Sequence, residues 1–309
     1  MEIKEKSVLS SDGSHSLAGR VYVPEGGICG IFQLIHGMTD YTERYDELLS
    51  RLAAKGFLSF GFDLLGHGRT ARDPSELGFI AEKDGWKRLV EDVKITSDAI
   101  REEYGKALPY CLMGHSMGSF IARCAVVDFP DPDALILMGT GGPEPSAPLG
   151  IALADTIGKI YGKRHVSHFM QAMVFSDYDS RFPGDYPQRW ITVDTENLVR
   201  YKDDPFCTFR FSVSALSDLI HLQSRANSSA FFSRIPSKMP VLLISGEDDP
   251  VGDFGKGVKK VYSRLIKKGK NATLRLFSGY RHEILQDFCR EEVIGEILSF
   301  LEANIKGDA

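Results

Sequence analysis

A serine stands between two glycines in the segment Gly114-His115-Ser116-Met117-Gly118. A short apolar run precedes this segment and a stretch with helical spacing follows it, so we predict that the serine lies on a sharp strand-to-helix turn. Such a turn, a nucleophile elbow, lifts the Ser116 hydroxyl clear of the backbone and sets a helix N-terminus where negative charge develops. Because this spacing arises by chance in roughly one chain in four of this size and composition, it needs supporting residues.

An acid and a base follow the serine in the order that this chemistry requires. Asp249 comes after a predicted buried strand at 241–245, and His282 comes after the last predicted strand, at 272–277. Of the eight histidines, only His282 lies beyond that last strand. We predict that His282 takes the proton of Ser116 and that Asp249 orients the imidazole. Two neighbouring acids remain alternatives to Asp249: Asp248 and Asp253.

The loop after the first predicted buried strand is expected to supply a backbone amide. His36-Gly37-Met38 follows that strand, at the position where a second oxyanion donor belongs. The predicted oxyanion donors are therefore the backbone N–H groups of Met38 and Met117. Three residues are assigned to substrate binding: His36, Gly37 and Trp190. For His36, a structural hydrogen-bonding role is the alternative.

Buried strands alternate with amphipathic helices along most of the chain. The predicted strands cover residues 30–35, 58–62, 110–113, 134–138, 241–245 and 272–277. The predicted helices cover residues 45–55, 86–104, 117–128, 254–268 and 291–304. This alternation predicts an α/β fold with a mostly parallel central sheet and helices on both of its faces.

The alternation stops after the fourth strand. Residues from about 149 to 232 are helical and rich in aromatic side chains, and a segment of this length is too long for a simple loop. We predict three parts: a core at 1–142, a helical cap insertion at 143–236, and the rest of the core at 237–309. Aromatic residues of the insertion either line an acyl pocket or form its own core: Phe206, Phe209, Phe211, Phe231 and Phe232.

Composition limits the class of protein. The 309 residues are 43% hydrophobic and 26% charged, which excludes a disordered or collagen-like chain. The formal net charge of −5, without a lysine or arginine cluster, argues against binding nucleic acid or an anionic membrane through bulk charge.

Three patterns that the sequence lacks bear on the protein's location and cofactors. We find no signal-peptide pattern and no segment apolar enough for membrane insertion. The five cysteines are scattered and lack C-x-x-C spacing, which argues against a disulfide framework or a metal site. We therefore expect a cytoplasmic protein without a metal or organic cofactor. The oligomeric state is left open.

These motifs together resemble the α/β-hydrolase superfamily, in its monoacylglycerol lipase/lysophospholipase-like (serine aminopeptidase-like) branch. The matching segments are residues 36–45, 62–69, 114–118, 246–250 and 281–283. In that branch the acid stands three residues after the glycine, which selects Asp249 over Asp248. The sequence departs from the pattern at Met38, where many relatives have a smaller residue, and at Asp40, in a loop that often holds Gly-Glu. Both departures concern the width of the acyl entrance.

The resemblance implies a serine hydrolase that cleaves carboxylic esters through an acyl-enzyme. Its small-molecule substrates would be monoacylglycerols, lysophospholipids or small acyl esters. Hydrolysis of an amide, a peptide or a thioester is the alternative on the same fold. An aminopeptidase would need an acid for the substrate amine, and the insertion offers four: Asp177, Asp179, Asp185 and Glu196. A non-catalytic small-molecule-binding protein on this scaffold is the alternative of another class.

Overall fold

An eight-stranded sheet forms the centre of the molecule in a computed structural model that describes residues 1–129, 131–175, 177–184 and 186–305. The strands are β1 (Glu2–Leu9), β2 (Ser16–Val23), β3 (Gly30–Ile35), β4 (Phe57–Phe62), β5 (Tyr110–His115), β6 (Ala134–Met138), β7 (Val241–Gly246) and β8 (Ala272–Phe277). The helices are α1 (Asp46–Ala54), α2 (Gly85–Tyr104), α3 (Met117–Asp128), α4 (Ala147–Tyr161), α5 (His168–Phe175), α6 (Thr195–Asp203), α7 (Val213–Ala226), α8 (Ser229–Arg234), α9 (Lys256–Lys267) and α10 (Arg290–Asn304).

The strand order is β1-β2-β4-β3-β5-β6-β7-β8. All pairs from β4 to β8 are parallel, whereas β2 is antiparallel to both β1 and β4. The predicted α/β fold with a mostly parallel sheet is confirmed. From β3 the chain continues to β4 on one side, whereas β5 lies on the other side of β3, so the order of strands reverses there. At such a topological switch point, a crevice forms beyond the carboxyl ends of the strands. The loops after β3 and β5 are therefore neighbours.

Alternating side chains of each central strand enter two separate cores. In β3, Ile31 and Ile35 pack into one core while Phe32 and Leu34 pack into the other. Helices α2, α3 and α9 contribute to the first core, and α1 and α10 contribute to the second. Because both faces are covered, the central strands are apolar on both sides, as the buried runs in the sequence indicate.

The antiparallel hairpin of β1 and β2 is the part of the sheet that the sequence analysis missed. β1 is an edge strand that pairs only with β2, and its sequence EIKEKSVL is mostly exposed or half-buried. Charged residues are common on edge strands because they discourage pairing with other chains. They also hide the strand from a search for buried apolar runs. The predicted helices and remaining strands agree with the structure to within two residues at each end.

The segment between β6 and β7 contains helices α4 to α8 in its described parts. Helix α7 packs against α2, α3 and α4, and α8 packs against α3. These helices therefore contact the core directly. The limits of the three predicted parts remain predictions. None of the helices in the described ranges has the length and apolar character needed to cross a membrane.

A buried arginine joins α3 to this inserted segment. The Arg123 side chain is completely buried, and its Nη2 donates hydrogen bonds to the Ala226 carbonyl (2.6 Å) and to Asn227 Oδ1 (3.0 Å). Its Nη1 donates to the Gly141 carbonyl (3.1 Å) and to Thr140 Oγ1 (3.3 Å). Because α7 ends at Ala226, the guanidinium binds the negative end of that helix dipole. Arg123 thus anchors α3 behind the predicted nucleophile.

We predict that Arg123→Leu lowers the free energy of unfolding by about 3 kcal/mol, because buried carbonyl groups lose their donors. Urea unfolding followed by circular dichroism measures the change. Arg264→Leu is the matched control: Arg264 is half-buried, and its side chain makes one hydrogen bond to a described residue, the Asn227 carbonyl (3.0 Å). Its loss is expected to cost under about 1 kcal/mol. Equal unfolding midpoints for the two variants would contradict the anchoring role.

Candidate active site

Ser116 occupies a strained turn between β5 and α3. Its backbone has φ 52° and ψ −121°, a region that residues with a side chain rarely adopt. The neighbouring backbones leave no room for a side chain at either glycine: a Cβ on Gly114 would lie 2.2 Å from the Gly118 carbonyl oxygen, and a Cβ on Gly118 would lie 2.2 Å from the Ile35 carbonyl oxygen. The predicted strand-turn-helix context of the motif is therefore present.

The predicted base and acid form a buried pair. His282 Nδ1 lies 2.9 Å from Asp249 Oδ2, and both side chains are buried. Since an ionised carboxylate only accepts hydrogen bonds, Nδ1 carries the hydrogen and Nε2 is left as the acceptor. Asp249 Oδ1 accepts from the Val251 N–H (2.9 Å), which fixes the carboxylate. The two competing acids, Asp248 and Asp253, are both exposed.

The pKa of His282 is raised from its ordinary value of 6.5. Burial alone would lower this pKa, but the charge of Asp249, its hydrogen bond to the ring, and the charges of Glu283 and Asp40 together outweigh burial and favour the imidazolium. The pair can therefore stabilise the positive charge that forms when the histidine accepts a proton.

One cavity of about 590 Å³ brings the predicted site residues together. Ser116 and His282 both line it, and so do four further predicted residues: Gly37, Met38, Met117 and Trp190. The Trp190 ring lies 5.1 Å from the His282 ring, centroid to centroid. Residues of α5 and α7 form much of the remaining wall.

His36 does not take part in this cavity. The side chain is completely buried, its Nδ1 donates to the Gly37 carbonyl (2.8 Å), and its Nε2 accepts from the Leu64 N–H (2.9 Å). Both ring nitrogens are thus used to brace loops. These contacts do not support the assignment of His36 to substrate binding. They match the alternative, a structural hydrogen-bonding role.

The two predicted oxyanion amides lie on adjacent loops. Met38 follows β3, and Met117 begins α3. Neither backbone N–H donates a hydrogen bond to another group in the described ranges. A Cβ on Gly37 would lie 3.1 Å from the Cβ of Ser116, so the Gly37 backbone closely approaches the serine. Two available amides beside one hydroxyl are suited to binding an oxyanion.

A buried ion network surrounds these loops. The Arg44 guanidinium donates to both carboxylate oxygens of Glu283 (2.8 and 2.6 Å) and to Asp40 Oδ1 (3.0 Å). Burial alone would raise the pKa of Asp40, but the adjacent Arg44 charge holds it well below its ordinary value. Tyr45 Oη donates to Asp40 Oδ2 (2.6 Å) and lies 2.6 Å from His115 Nδ1. Arg44 therefore ties the loop after β3 to the loop that carries His282.

The sequence analysis did not identify Asp40 and Glu283 as members of this network. Asp40 appeared only as a departure from the family pattern. Glu283 directly follows His282, and its partner Arg44 is 239 residues earlier in the chain. The adjacency of Glu283 to the predicted base was the available signal, but charge patterning along the chain cannot pair residues so far apart.

The acids considered for binding a substrate amine are absent from the cavity wall where the structure describes them. Asp177, Asp179 and Glu196 do not line it, and Asp185 lies outside the described residues. The Asp179 carboxylate accepts from two backbone amides of the turn before α6, those of Gln188 (2.7 Å) and Trp190 (3.0 Å).

The aromatic residues of the insertion divide between the two predicted roles. Phe209 lines the cavity, whereas Phe211, Phe231 and Phe232 are fully buried in the core. No group of three or more histidine, cysteine or acidic side chains in the described ranges is arranged to hold a metal ion.

Comparison with known proteins places this site in a family. The family model described as serine aminopeptidase, S33 matches residues 27–288. A monoacylglycerol lipase of Mycolicibacterium smegmatis is 24% identical over 314 residues, which cover 96% of this chain and 100% of the relative.

Two solved structures are similar over nearly the whole chain. A carboxyl esterase from Bacillus coagulans, in complex with glycerol, is 28% identical with a TM-score of 0.93 and covers 99% of both chains. A lipase in an open form is 27% identical with a TM-score of 0.91 and covers 98% of this chain and 99% of its own. The chain therefore belongs to the serine aminopeptidase, S33 family and is a carboxylic ester hydrolase of the monoacylglycerol lipase-like branch of the α/β-hydrolases.

Proposed function

We propose that the protein hydrolyses carboxylic esters of monoacylglycerol, lysophospholipid or small acyl type through a Ser116-His282-Asp249 triad. The observation that carries the proposal is the buried 2.9 Å contact between His282 Nδ1 and Asp249 Oδ2, with His282 and Ser116 lining one cavity. A nucleophile, a base and an orienting carboxylate are the three groups that acyl transfer of this kind requires.

The reaction proceeds in two steps. Ser116 Oγ attacks the ester carbonyl as His282 Nε2 takes its proton, and the oxyanion is bound by the Met38 and Met117 amides. His282 then protonates the leaving alcohol, which departs and leaves an acyl-enzyme. Water, deprotonated by His282, attacks the acyl group, and the acid is released as Ser116 recovers its proton.

The carboxylates that line the cavity offer no free partner for the amino terminus of a peptide substrate. Recognition of a substrate amine needs a carboxylate that is free to pair with it. The carboxylates in the described cavity wall are Asp40 and Glu283, and both already bind Arg44. An ester without an amine makes no such demand.

The apolar part of the cavity supports an acyl chain as ligand. Its wall includes the side chains of Phe120, Phe175, Leu219 and Ile220, and its volume lies within the range of small-molecule sites. The similarity to a relative named a monoacylglycerol lipase supports an acylglycerol among the substrates.

Ser116→Ala is expected to abolish ester hydrolysis and labelling by a fluorophosphonate without changing the fold, because only the nucleophilic oxygen is removed. Ser180→Ala serves as the control, since Ser180 is exposed in the inserted segment and does not line the cavity. Hydrolysis of p-nitrophenyl esters and circular dichroism provide the two readouts. Wild-type turnover in Ser116→Ala would exclude this serine as the nucleophile.

The acid limb of the pH profile tests the His282–Asp249 pair. Because the pKa of His282 is raised above 6.5, kcat/KM should begin to fall at a higher pH than for a free imidazole as the neutral base is lost. In Asp249→Asn, the charge that most raises the pKa of His282 is lost while burial still lowers that pKa, so the limb should move to lower pH. Turnover should drop by about 10⁴-fold because the tautomer is no longer enforced.

Asp248→Asn is the matched control for that experiment, since its carboxylate is adjacent in sequence but exposed. It should leave both the acid limb and the turnover close to those of the wild type. A larger loss in Asp248→Asn than in Asp249→Asn would reassign the acid.

The cavity wall formed by α7 should set the preferred acyl length. Leu219→Trp adds volume at the cavity wall, so the optimum in a p-nitrophenyl ester series from acetate to palmitate should move to shorter chains, with acetate least affected. Leu149→Trp is the control because Leu149 is exposed on α4 and does not line the cavity. An unchanged optimum in Leu219→Trp would show that the acyl chain lies elsewhere.

A further inference from the structure

One cationic side chain in the wall of this cavity has no carboxylate partner among the described residues. The ionised side chains that line it in the described ranges are Asp40, Glu283 and Arg210. The two carboxylates pair with Arg44, whereas Arg210 has no carboxylate within 4.0 Å among the described residues. Arg210 is exposed and lines the cavity, so its guanidinium is accessible to a ligand there.

The backbone that carries Arg210 is held from both sides. The rings of Phe209 and Phe211 lie 5.3 and 5.4 Å from the ring of His67, centroid to centroid. Gln171 Nε2 donates to the Phe211 carbonyl (2.8 Å), which joins this segment to α5. A cation on a fixed backbone loses less conformational entropy on binding than one on a mobile loop.

The backbone at Gly78 also contacts the segment that carries Arg210. A Cβ on Gly78 would lie 2.2 Å from the Arg210 carbonyl oxygen, and the Ser212 N–H donates to the Gly78 carbonyl (2.9 Å). The close approach restricts where the Arg210 backbone can move. The loop between β4 and α2, which carries His67 and Gly78, therefore positions this part of the inserted segment.

His168 orients the guanidinium and leaves donors free. Arg210 Nη1 lies 2.5 Å from His168 Nδ1, and His168 also lines the cavity. Because the guanidinium only donates, His168 Nδ1 accepts. The Nη2 and Nε groups of Arg210 make no hydrogen bond to a described residue. Such a fork of donors matches the oxygens of a carboxylate or a phosphate.

The part of the cavity wall that carries Asp40 and Glu283 disfavours anions. Asp40 and Glu283 share the single charge of Arg44, which leaves an excess of negative charge close to Ser116, and Asp249 adds to it. An anionic group on a substrate would therefore be disfavoured beside Asp40 and Glu283 and favoured beside Arg210. An acyl chain fills the apolar wall, so such a group belongs on the alcohol part of the ester.

We propose that Arg210, oriented by His168, is an anion-binding subsite and that the preferred substrates are acyl esters whose alcohol part carries a carboxylate or a phosphate. The inference rests on the proposed ester hydrolysis at Ser116 and specifies its substrate class. The planar guanidinium recognises either group through paired N–H donors.

Two matched substrate pairs test the subsite by hydrolysis and separate the two anions. The phosphate pair is 1-octanoylglycerol 3-phosphate with 1-octanoylglycerol, and the carboxylate pair is 2-octanoyloxyacetate with 2-octanoyloxyacetamide. Arg210→Gln should lower the anionic-to-neutral ratio of kcat/KM by about tenfold or more in at least one pair, with neutral esters changed by less than about twofold. Arg210→Lys should recover part of the loss, because it restores the charge without the fork.

Arg200→Gln is the matched control, because it removes the same charge from an exposed arginine of the inserted segment that does not line the cavity. Its ratios should equal those of the wild type. A fall of less than about threefold in both pairs for Arg210→Gln, or an equal fall in Arg200→Gln, would overturn the subsite.

Binding to a catalytically silent variant separates this inference from the proposed function. Calorimetric titration of Ser116→Ala with octyl phosphate and with the neutral 1-O-octylglycerol should show tighter binding of the phosphate, lost on adding Arg210→Gln. If no ester is hydrolysed but this preference remains, the proposed reaction fails and the subsite stands. Equal binding of the two ligands, together with unchanged ratios, would remove the subsite while the esterase function stands.

Discussion

The strained turn at Ser116 is the constraint on which the site depends. A positive φ costs free energy in a residue with a side chain, and here the surrounding backbone enforces it. Gly114 and Gly118 allow β5, α3 and the end of β3 to approach until any Cβ would collide with a carbonyl oxygen. The same approach brings the β3 loop, with Met38, beside the serine. Arg123 then anchors α3 from behind through the end of α7.

A second constraint is electrostatic. Arg44 binds Asp40 in the loop after β3 and Glu283 in the loop after β8, so one buried guanidinium joins these two loops. Removing two carboxylates from water is costly unless they are paired, and Arg44 pairs with both while compensating one of the two charges. Asp40 and Glu283 therefore bind Arg44 and are not free to bind a cationic ligand. The inserted segment adds an apolar wall and a cation, Arg210, that has no carboxylate partner among the described residues.

Much of the site was predictable because its motifs consist of residues that are close together in the sequence. The glycines around Ser116 and the strand-turn-helix context are local, and the order of serine, acid and base follows from the order of buried strands. β1 escaped prediction because its charged, half-exposed edge lacks a buried apolar run. His36 was assigned to the substrate because its loop borders the oxyanion position, but its ring turns inward to two backbone groups. Loop position is visible in a sequence, whereas side-chain direction is not.

The sequence by itself determined the α/β alternation, the helical insertion and the three motifs that carry serine, acid and base. These depend on local periodicity and on glycine spacing, which act over a few residues. The tertiary structure decided which acid meets His282, because Asp248 and Asp249 differ by one residue but point to solvent and to the interior respectively. It also decided the Arg44 network and the exposed Arg210 at the cavity. Such pairings join residues that are distant in the chain, and only folding brings their charges within range of one another.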